Sequence, residues 1–222
     1  MGQTVKLLLV LVCFLTQACT PAVKPKILII GDSISIGYTP FVKQQLMDKA
    51  AVFHNPGNAQ HSGTGVKKIE EWIGSEVWDI IQFNWGLWDL CYRHPDSKVQ
   101  GNRDKVNGTL TYSIEDYAQN LDTIVTTLKA KTKAKLIFIT TTYVPENEAG
   151  RFQEDAFKYN EAAKAVMEKH DITINDIFTQ SKDIHLKEGK GRDDVHFTEA
   201  GYEALGVVIA NFLKPLLNSN SF

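Results

Sequence analysis

The sequence has little of what would mark a disulfide-rich, nucleic-acid-binding or repetitive protein. Only three of its 222 residues are cysteines, too few for a disulfide framework, so the fold must depend on a packed core. A net charge of -2, with no basic stripe, predicts no nucleic-acid partner. Repeats and low-complexity segments are absent, and the histidines show no metal-ligand spacing, so we predict neither a metal site nor a cofactor. What remains is an ordinary globular composition, 43% hydrophobic and 23% charged, with enough length for one domain.

The amino terminus differs from the rest of the chain. Lys6 precedes an apolar run over residues 7–15, which is too short to span a membrane as a helix and is typical of a secretory signal. Cleavage after Ala18 is one interpretation of the small and polar residues that follow. The other is lipid modification of Cys19, which would attach the protein to a membrane, because Cys19 directly after Ala18 resembles the modified cysteine of bacterial lipoproteins. Both interpretations predict export to the periplasm or the cell surface.

Segments that favour strands alternate with segments that favour helices along the rest of the chain. This alternation predicts βαβ units and one parallel sheet covered on both faces. With five strands, the expected fold is a flavodoxin-like three-layer α/β sandwich with a five-stranded parallel sheet in the order 2-1-3-4-5. The predicted strands cover residues 27–30, 51–53, 79–84, 135–140 and 172–175, and the predicted helices cover residues 40–50, 66–73, 113–131, 152–169 and 198–213. The predicted division of the chain is a signal peptide over 1–18, a linker over 19–25, a domain over 26–217 and a tail over 218–222.

Ser33 stands at the carboxyl end of the predicted first strand, directly after Gly31 and Asp32. Ligands and reacting groups collect at this end of the strands in open α/β sheets, and the position lies near the switch in strand order. A serine there can act as a nucleophile if a base reaches its hydroxyl. Taken alone, Ser33 can equally cap the following helix, which is a common role of serine after a strand.

A second candidate group lies near the other end of the domain, where Asp193, Asp194 and His196 precede the last predicted helix. A serine nucleophile needs a base, and the base needs a partner that fixes its tautomer. His196 can serve as the base, and we expect Asp193, three residues earlier in a tight turn, to orient it. We expect Asp194 to point elsewhere, as a cap or toward solvent. A surface histidine at a helix entry is the plain structural alternative.

The block from Gly31 to Ser35 and the Asp193-x-x-His196 block together resemble the SGNH (GDSL) hydrolase superfamily. The resemblance spans nearly the whole domain, because the order of strands and helices also fits. It implies a flavodoxin-like serine esterase that acts on acyl groups of sugars, lipids or thioesters without a cofactor. Ser33 matches the nucleophile, Asp193 the orienting acid and His196 the base. The Gly-x-Ser-x-Gly elbow of the other large esterase fold is missing around Ser33.

The resemblance also implies an oxyanion hole. The backbone N–H groups of Ser33 and Gly63 match its first two donors, with Gly57 as the fallback for Gly63. The third donor is an asparagine in the family, and Trp88 stands in its place. Three explanations remain open: the Trp88 indole N–H donates, Asn84 reaches the site from the same face of the strand, or two donors suffice.

Substrate contacts are expected from Asp32 beside the nucleophile and from two aromatic residues on loops, Trp88 and Tyr92. Aromatic faces suit the C–H faces of sugars and suit acyl chains equally. The aperiodic segment 91–111 is predicted to be a long functional loop. The remaining three tryptophans are expected to pack in the core: Trp72, Trp78 and Trp85.

Two classes of function follow from these features. The first is an exported serine esterase that removes small acyl groups, above all O-acetyl, from a carbohydrate, whether a small molecule or a polysaccharide. Within this class a lipase, lysophospholipase or thioesterase of the same fold is the alternative. The second class is a non-catalytic ligand-binding protein, which only Trp88 suggests. A nucleotide or flavin binder is disfavoured, because the loop after the first strand lacks a Walker lysine and carries a carboxylate where phosphate would sit.

Overall fold

The computed structural model describes residues 23–218 and centres on a parallel sheet. Its strands lie in the order β2-β1-β3-β6-β7, and every neighbouring pair is parallel. This confirms the predicted α/β fold and its 2-1-3-4-5 strand order. Along the chain, the elements are β1 (Lys26–Ile30), α1 (Ser33–Gln45), β2 (Ala51–His54), α2 (Ser62–Ile73), β3 (Ile80–Phe83), β4 (Tyr92–Arg93), β5 (Thr109–Leu110), α3 (Ile114–Lys131), β6 (Lys135–Ile139), α4 (Gln153–Lys169), β7 (Thr173–Asn175), α5 (Phe178–Glu188), β8 (Gly189–Gly191), β9 (Asp194–Phe197) and α6 (Glu199–Asn218), with a 3₁₀ turn at Gln100–Asn102.

Helices cover the sheet in two groups. α1, α5 and α6 pack together, and α2, α3 and α4 pack together. The apolar run of β1 is almost fully buried between them, as expected for a central strand of a parallel sheet. The three tryptophans predicted for the core are at most 8% exposed, which confirms that prediction: Trp72, Trp78 and Trp85.

The predicted signal peptide over 1–18 and most of the predicted linker and tail lie outside the described residues, so the proposed division of the chain stays a prediction. Within residues 23–218, α6 has the length and composition of a helix that could cross a membrane. It packs against α1 and α5, however, as a core helix does.

The first helix begins earlier than the sequence pattern predicted. We expected a start near Pro40, but α1 begins at Ser33 and carries Pro40 inside it. The reason is that Asp32 caps the helix directly after β1, since its Oδ1 accepts from the Ile34 N–H at 2.9 Å. The sharp passage from strand to helix therefore presents Ser33 at the carboxyl edge of the sheet.

Between β7 and the last helix, the structure contains a helix, α5, and a β-hairpin that the sequence analysis did not predict. α5 escaped notice because it is mostly polar and buries only Ser181 and His185. β8 and β9 pair in an antiparallel hairpin directly after it. The predicted loop over 91–111 likewise contains a small hairpin of β4 and β5.

Close contact between α1 and α6 brings this hairpin toward the first strand. A Cβ added to Gly37 of α1 would overlap the ring of Tyr202, and one added to Gly206 of α6 would lie 2.5 Å from Phe41 Cβ. Both glycines therefore allow an approach that larger side chains would prevent. The helices carry the two ends of the domain to one edge of the sheet.

Candidate active site

Ser33 and His196 meet at the carboxyl edge of the sheet. Ser33 Oγ lies 2.9 Å from His196 Nε2, although 163 positions separate the two residues. Ser33 is the first residue of α1, and His196 lies on β9. A hydroxyl and an imidazole at this distance can exchange a proton. The structure thus brings together the first and last residues of the predicted group.

The carboxylate beside His196 belongs to Asp194, which corrects our prediction of Asp193. Asp194 Oδ1 lies 2.5 Å from His196 Nδ1 and also accepts from the His196 backbone N–H at 3.0 Å. The predicted tight turn is in fact strand β9, and side chains two residues apart share a face of a strand. Asp193 precedes the strand and is exposed.

The hydrogen bonds from His196 also govern the charge of Asp194. Burial acts to raise the pKa of this carboxyl group, but the backbone and side-chain hydrogen bonds of His196 outweigh burial. The pKa of Asp194 therefore lies below its usual value. An ionised Asp194 holds the Nδ1–H of the imidazole and leaves the lone pair on Nε2.

A buried histidine supports β9 from behind. His185 Nε2 lies 2.7 Å from the Asp194 carbonyl oxygen, and its ring packs edge-on against Tyr143 and Phe197. Neither His185 nor α5, which carries it, was singled out from the sequence. The hydrogen bond between His185 and the Asp194 carbonyl fixes the backbone of β9 next to His196.

The cavity next to Ser33 has a volume of about 240 Å³. The predicted residues Asp32, Ser33, Trp88 and His196 line it. Asp32 is buried, and burial raises its pKa against the opposing hydrogen bond from Ile34 and the positive charge of Arg151. The remaining lining residues are Asn58, Leu87, Arg93, Gln100, Gly101, Arg103, Arg151, Asp194 and Val195.

Two arginines that line the cavity, Arg103 and Arg151, were not singled out from the sequence. Arg151 is 5% exposed, donates from Nε to the Leu87 carbonyl at 2.6 Å and pairs with Glu148 at 2.8 Å. Arg103 pairs with the same carboxylate oxygen at 2.5 Å. The Glu148-x-x-Arg151 spacing in a segment that follows a buried strand is the one signal that could have indicated this pair.

The predicted oxyanion donors are only partly gathered at the cavity. Ser33 and Trp88 line it, whereas Gly63, Gly57 and Asn84 do not. Gly63 lies in the first turn of α2, where an added Cβ would overlap the Tyr112 hydroxyl. Asn84 Nδ2 instead donates to the Ile139 carbonyl at 2.7 Å.

The loop after β2 places a different amide at the cavity. Asn58 Oδ1 accepts from the Gln60 N–H at 2.8 Å, and Gln60 adopts a positive φ of 55°. This strained turn already uses Asn58 Oδ1 as an acceptor. The Nδ2 amide group is therefore the part of the side chain that remains to donate to a ligand. The other predicted substrate residue, Tyr92, packs edge-on against Phe152 and does not line the cavity.

A second serine–histidine contact lies two residues further along α1. Ser35 Oγ is 2.7 Å from His54 Nε2, while it also donates to the Asp32 carbonyl at 2.7 Å. Ser35 is 2% exposed and does not line the Ser33 cavity. Burial lowers the pKa of His54 and favours the neutral ring. This contact joins α1 to the end of β2. Within residues 23–218, no group of three or more His, Cys, Asp or Glu side chains is placed to hold a metal ion.

Comparisons with known proteins agree with this architecture. A lipase/acylhydrolase from Enterococcus faecalis is 21% identical with a TM-score of 0.66, covering 89% of this chain and 100% of its own. An acetylxylan esterase from Geobacillus stearothermophilus is 19% identical with a TM-score of 0.65, covering 86% of this chain and 93% of its own. An acetyl xylan esterase named AlAXEase is 15% identical with a TM-score of 0.66, covering 85% and 99%. At these identities the likeness establishes the fold.

The family follows from the sequence rather than from these structures. No curated protein matches the chain. Residues 29–204 match the GDSL-like Lipase/Acylhydrolase family, which confirms the resemblance drawn from the serine and histidine blocks. The match covers well over half of the chain and includes both blocks. The chain therefore belongs to the GDSL-like lipase/acylhydrolase family and is a carboxylic ester hydrolase.

Proposed function

We propose that this chain is an exported serine esterase that removes small acyl groups, above all O-acetyl, from carbohydrate. The single observation that carries the proposal is the 2.9 Å contact between Ser33 Oγ and His196 Nε2 at the wall of a cavity. Asp194, hydrogen-bonded to the opposite ring nitrogen, completes a Ser–His–Asp group. Asp193 drops out of the proposed triad.

The proposed mechanism gives a different task to each nitrogen of the His196 imidazole. Nδ1–H donates to Asp194, so Nε2 can accept the proton of Ser33 Oγ as that oxygen attacks the ester carbonyl carbon. His196 then passes the proton to the leaving alcohol. Water attacks the acyl-Ser33 ester while His196 takes its proton, and the carboxylic acid leaves as Ser33 is restored.

For the negative charge of the tetrahedral intermediate we propose two donors, the Ser33 backbone N–H and Asn58 Nδ2. Ser33 begins α1, where the first N–H groups have no acceptor within the helix. Asn58 lines the same cavity, and its Oδ1 is already occupied by Gln60. The Trp88 indole N–H is the competing donor, since Trp88 also lines the cavity. One such donor typically contributes about 3 kcal/mol to transition-state stabilisation.

The character of the cavity favours a small acyl group on a polar acceptor. Its apolar lining is limited to Leu87, Trp88 and Val195, and most other lining residues are polar or charged. A long-chain lipid or acyl thioester would need a continuous apolar groove, which a cavity of about 240 Å³ does not supply. Two of the similar solved structures are acetylxylan esterases, which supports O-acetylated carbohydrate as the substrate.

The amino-terminal segment supports export as part of the same proposal. Its basic residue, short apolar run and small residues have the layout of a signal peptide. Lipid modification of Cys19 would hold the enzyme at a membrane, whereas cleavage after Ala18 would release it.

Hydrolysis of p-nitrophenyl acetate by the purified protein tests the proposed function. Ser33→Ala should lower kcat by at least about 10³-fold, because the nucleophile is lost. Ser35→Ala is the matched control, since Ser35 also touches a histidine but lies outside the cavity, and we expect it to retain activity within about tenfold. Equal inactivity of wild type and Ser33→Ala across several acyl esters would instead support the non-catalytic alternative.

A further inference from the structure

Arg93 lines the Ser33 cavity and, within the described residues, has no ion-pair partner. Three arginines line the cavity: Arg93, Arg103 and Arg151. One Glu148 oxygen pairs with both Arg103 and Arg151, so these two share a single carboxylate. Within residues 23–218, Arg93 forms no ion pair. Of the three arginines, Arg93 is therefore the one without an ion-pair partner in the described part of the chain.

Neighbouring groups hold the Arg93 guanidinium in place without neutralising it. Its Cζ lies 4.7 Å from the centroid of the Trp88 ring, within the range of a cation–π interaction. One Nη1–H donates to the Gly101 carbonyl, and the Arg93 backbone forms an antiparallel bridge with Arg103. A guanidinium has five N–H donors, so most of them remain for a ligand in the cavity.

The surroundings of Arg93 favour the binding of an anion. Arg93 is half-buried, and burial lowers its pKa. The positive charges of Arg151 and Arg103 lower this pKa further, whereas Cys91 and Glu148 act in the opposite direction. Two carboxyl groups line the cavity, those of Asp32 and Asp194, and both already have hydrogen-bond partners. Asp32 caps α1, and Asp194 holds His196. A negative group brought by the substrate would give Arg93 an ion-pair partner.

We propose that Arg93, held against Trp88, binds a carboxylate on the acceptor part of the ester, so that the preferred substrate is an O-acylated acidic sugar. This inference rests on the proposed esterase function and specifies its substrate class. The planar guanidinium matches a carboxylate through two parallel hydrogen bonds. This proposal also explains why a tryptophan stands at position 88 where the family has an asparagine, because the Trp88 ring supports the Arg93 guanidinium. Because Arg93 would contact the acceptor rather than the reacting carbonyl, its contribution belongs in KM.

A matched pair of substrates tests the proposal. Fully O-acetylated methyl glucuronoside carries a carboxylate at C6, and its C6 carboxamide is a neutral counterpart of nearly the same shape. Acetate release gives kcat/KM for each, and the ratio of the two values cancels differences in active enzyme. We expect the wild type to prefer the carboxylate by at least about tenfold. Arg93→Gln should reduce that preference by about ten- to a hundredfold, mainly through KM.

Lys98→Gln is the control, because Lys98 is an exposed cation of the same loop that does not line the cavity. We expect it to leave the ratio within about twofold. A wild-type ratio near one, an unchanged ratio in Arg93→Gln, or an equal fall in Lys98→Gln would each overturn the proposal. If Arg93→Gln is inactive on both substrates, a second measurement tests the proposal. Glucuronate and glucuronamide are then compared as inhibitors of p-nitrophenyl acetate hydrolysis by the wild type. Glucuronate must then inhibit at a concentration at least tenfold below glucuronamide, and equal inhibition overturns the proposal.

Failure of the esterase proposal would look different. It would appear as absence of acetate release by the wild type from p-nitrophenyl acetate and from both sugars. Activity on both sugars without selectivity would leave the esterase proposal intact and remove only the assignment of Arg93.

Discussion

His196 joins a hydroxyl and a carboxylate through its two ring nitrogens. The Asp194 pKa lies below its usual value because the hydrogen bonds from His196 outweigh the effect of burial, so the carboxylate is ionised at neutral pH. In the proposed mechanism, this ionised partner would stabilise the imidazolium that forms when Ser33 gives up its proton. Asp194 and His196 are two residues apart on β9, so their side chains share one face of the strand.

Substitution of the two neighbouring aspartates should separate their roles. Asp194→Asn should lower kcat by about 10³- to 10⁴-fold, because an amide no longer favours the tautomer that leaves Nε2 free. Asp193→Asn should change kcat by less than about threefold, since Asp193 is exposed. Steady-state kinetics on p-nitrophenyl acetate provides the measurement. A larger loss in Asp193→Asn than in Asp194→Asn would restore the original assignment.

The proposed oxyanion donors allow a second test on single residues. Asn58→Ala should lower kcat by about 10²- to 10³-fold with little change in KM, the expected loss for one donor that acts in the transition state. Trp88→Phe removes the indole N–H and keeps a ring, and it should cost less than about tenfold. If the order of the two effects were reversed, Trp88 would be the donor. Kinetics on the same neutral ester gives both values.

The loop after β3 and the start of α2 are joined by a buried polar network. Asp89 Oδ1 accepts from the Ser62 N–H at 2.9 Å and from Ser62 Oγ at 2.5 Å, and Asn120 donates to the same Ser62 oxygen. Among the described residues, Asp89 Oδ2 is buried and has no hydrogen-bond partner. Burial, against the hydrogen bonds from Ser62, raises the pKa of Asp89 to about 7. The network therefore links a helix start to a carboxyl group that titrates near neutrality.

This network should make the stability of the protein depend on pH. The pKa of Asp89 is higher in the folded state than in the unfolded state, so the folded state binds more protons between about pH 4 and pH 7. The free energy of unfolding should therefore fall as pH rises through that range, by on the order of 3 to 4 kcal/mol from this group. Urea unfolding of wild type and Asp89→Asn at pH 5, 6.5 and 8 measures the difference. Parallel pH profiles would contradict the role given to Asp89.

At the scale of the whole molecule, the two ends of the domain form one site. β1 and α1 supply Ser33, and β9 supplies Asp194 and His196. Packing of α1 against α6 closes the distance between them. Damage to that packing should impair activity and stability together, because the same contacts serve both.

The location of the whole protein gives the last prediction. In a bacterial host that processes lipoproteins, the protein should leave the cytoplasm. A membrane-bound wild type with a released Cys19→Ser variant would identify lipid modification. Release of both proteins would identify cleavage after Ala18. Fractionation followed by immunoblotting distinguishes these outcomes, and retention of the wild type in the cytoplasm would contradict export.

The strands of the sheet were predictable because each carries its signal within a few residues. Buried runs such as the one in β1 have no polar face, and that pattern is specific to a central parallel strand. Helices with weak amphipathicity gave no comparable signal. α5 was missed for this reason, and the start of α1 was misplaced because a cap by Asp32 competed with the more familiar signal of Pro40.

Local sequence therefore established the parallel α/β fold, the family and the identity of Ser33 and His196 as candidates, since strand patterns and motif spacings are short-range properties of a chain. Folding in three dimensions selected Asp194 over Asp193, brought Asn58 in place of Gly63 to the cavity, and gathered three arginines there. Those choices depend on which face of β9 points inward and on how distant loops meet above the sheet. The spacing of residues along the chain does not reveal contacts between distant segments. Only the packed tertiary structure shows them.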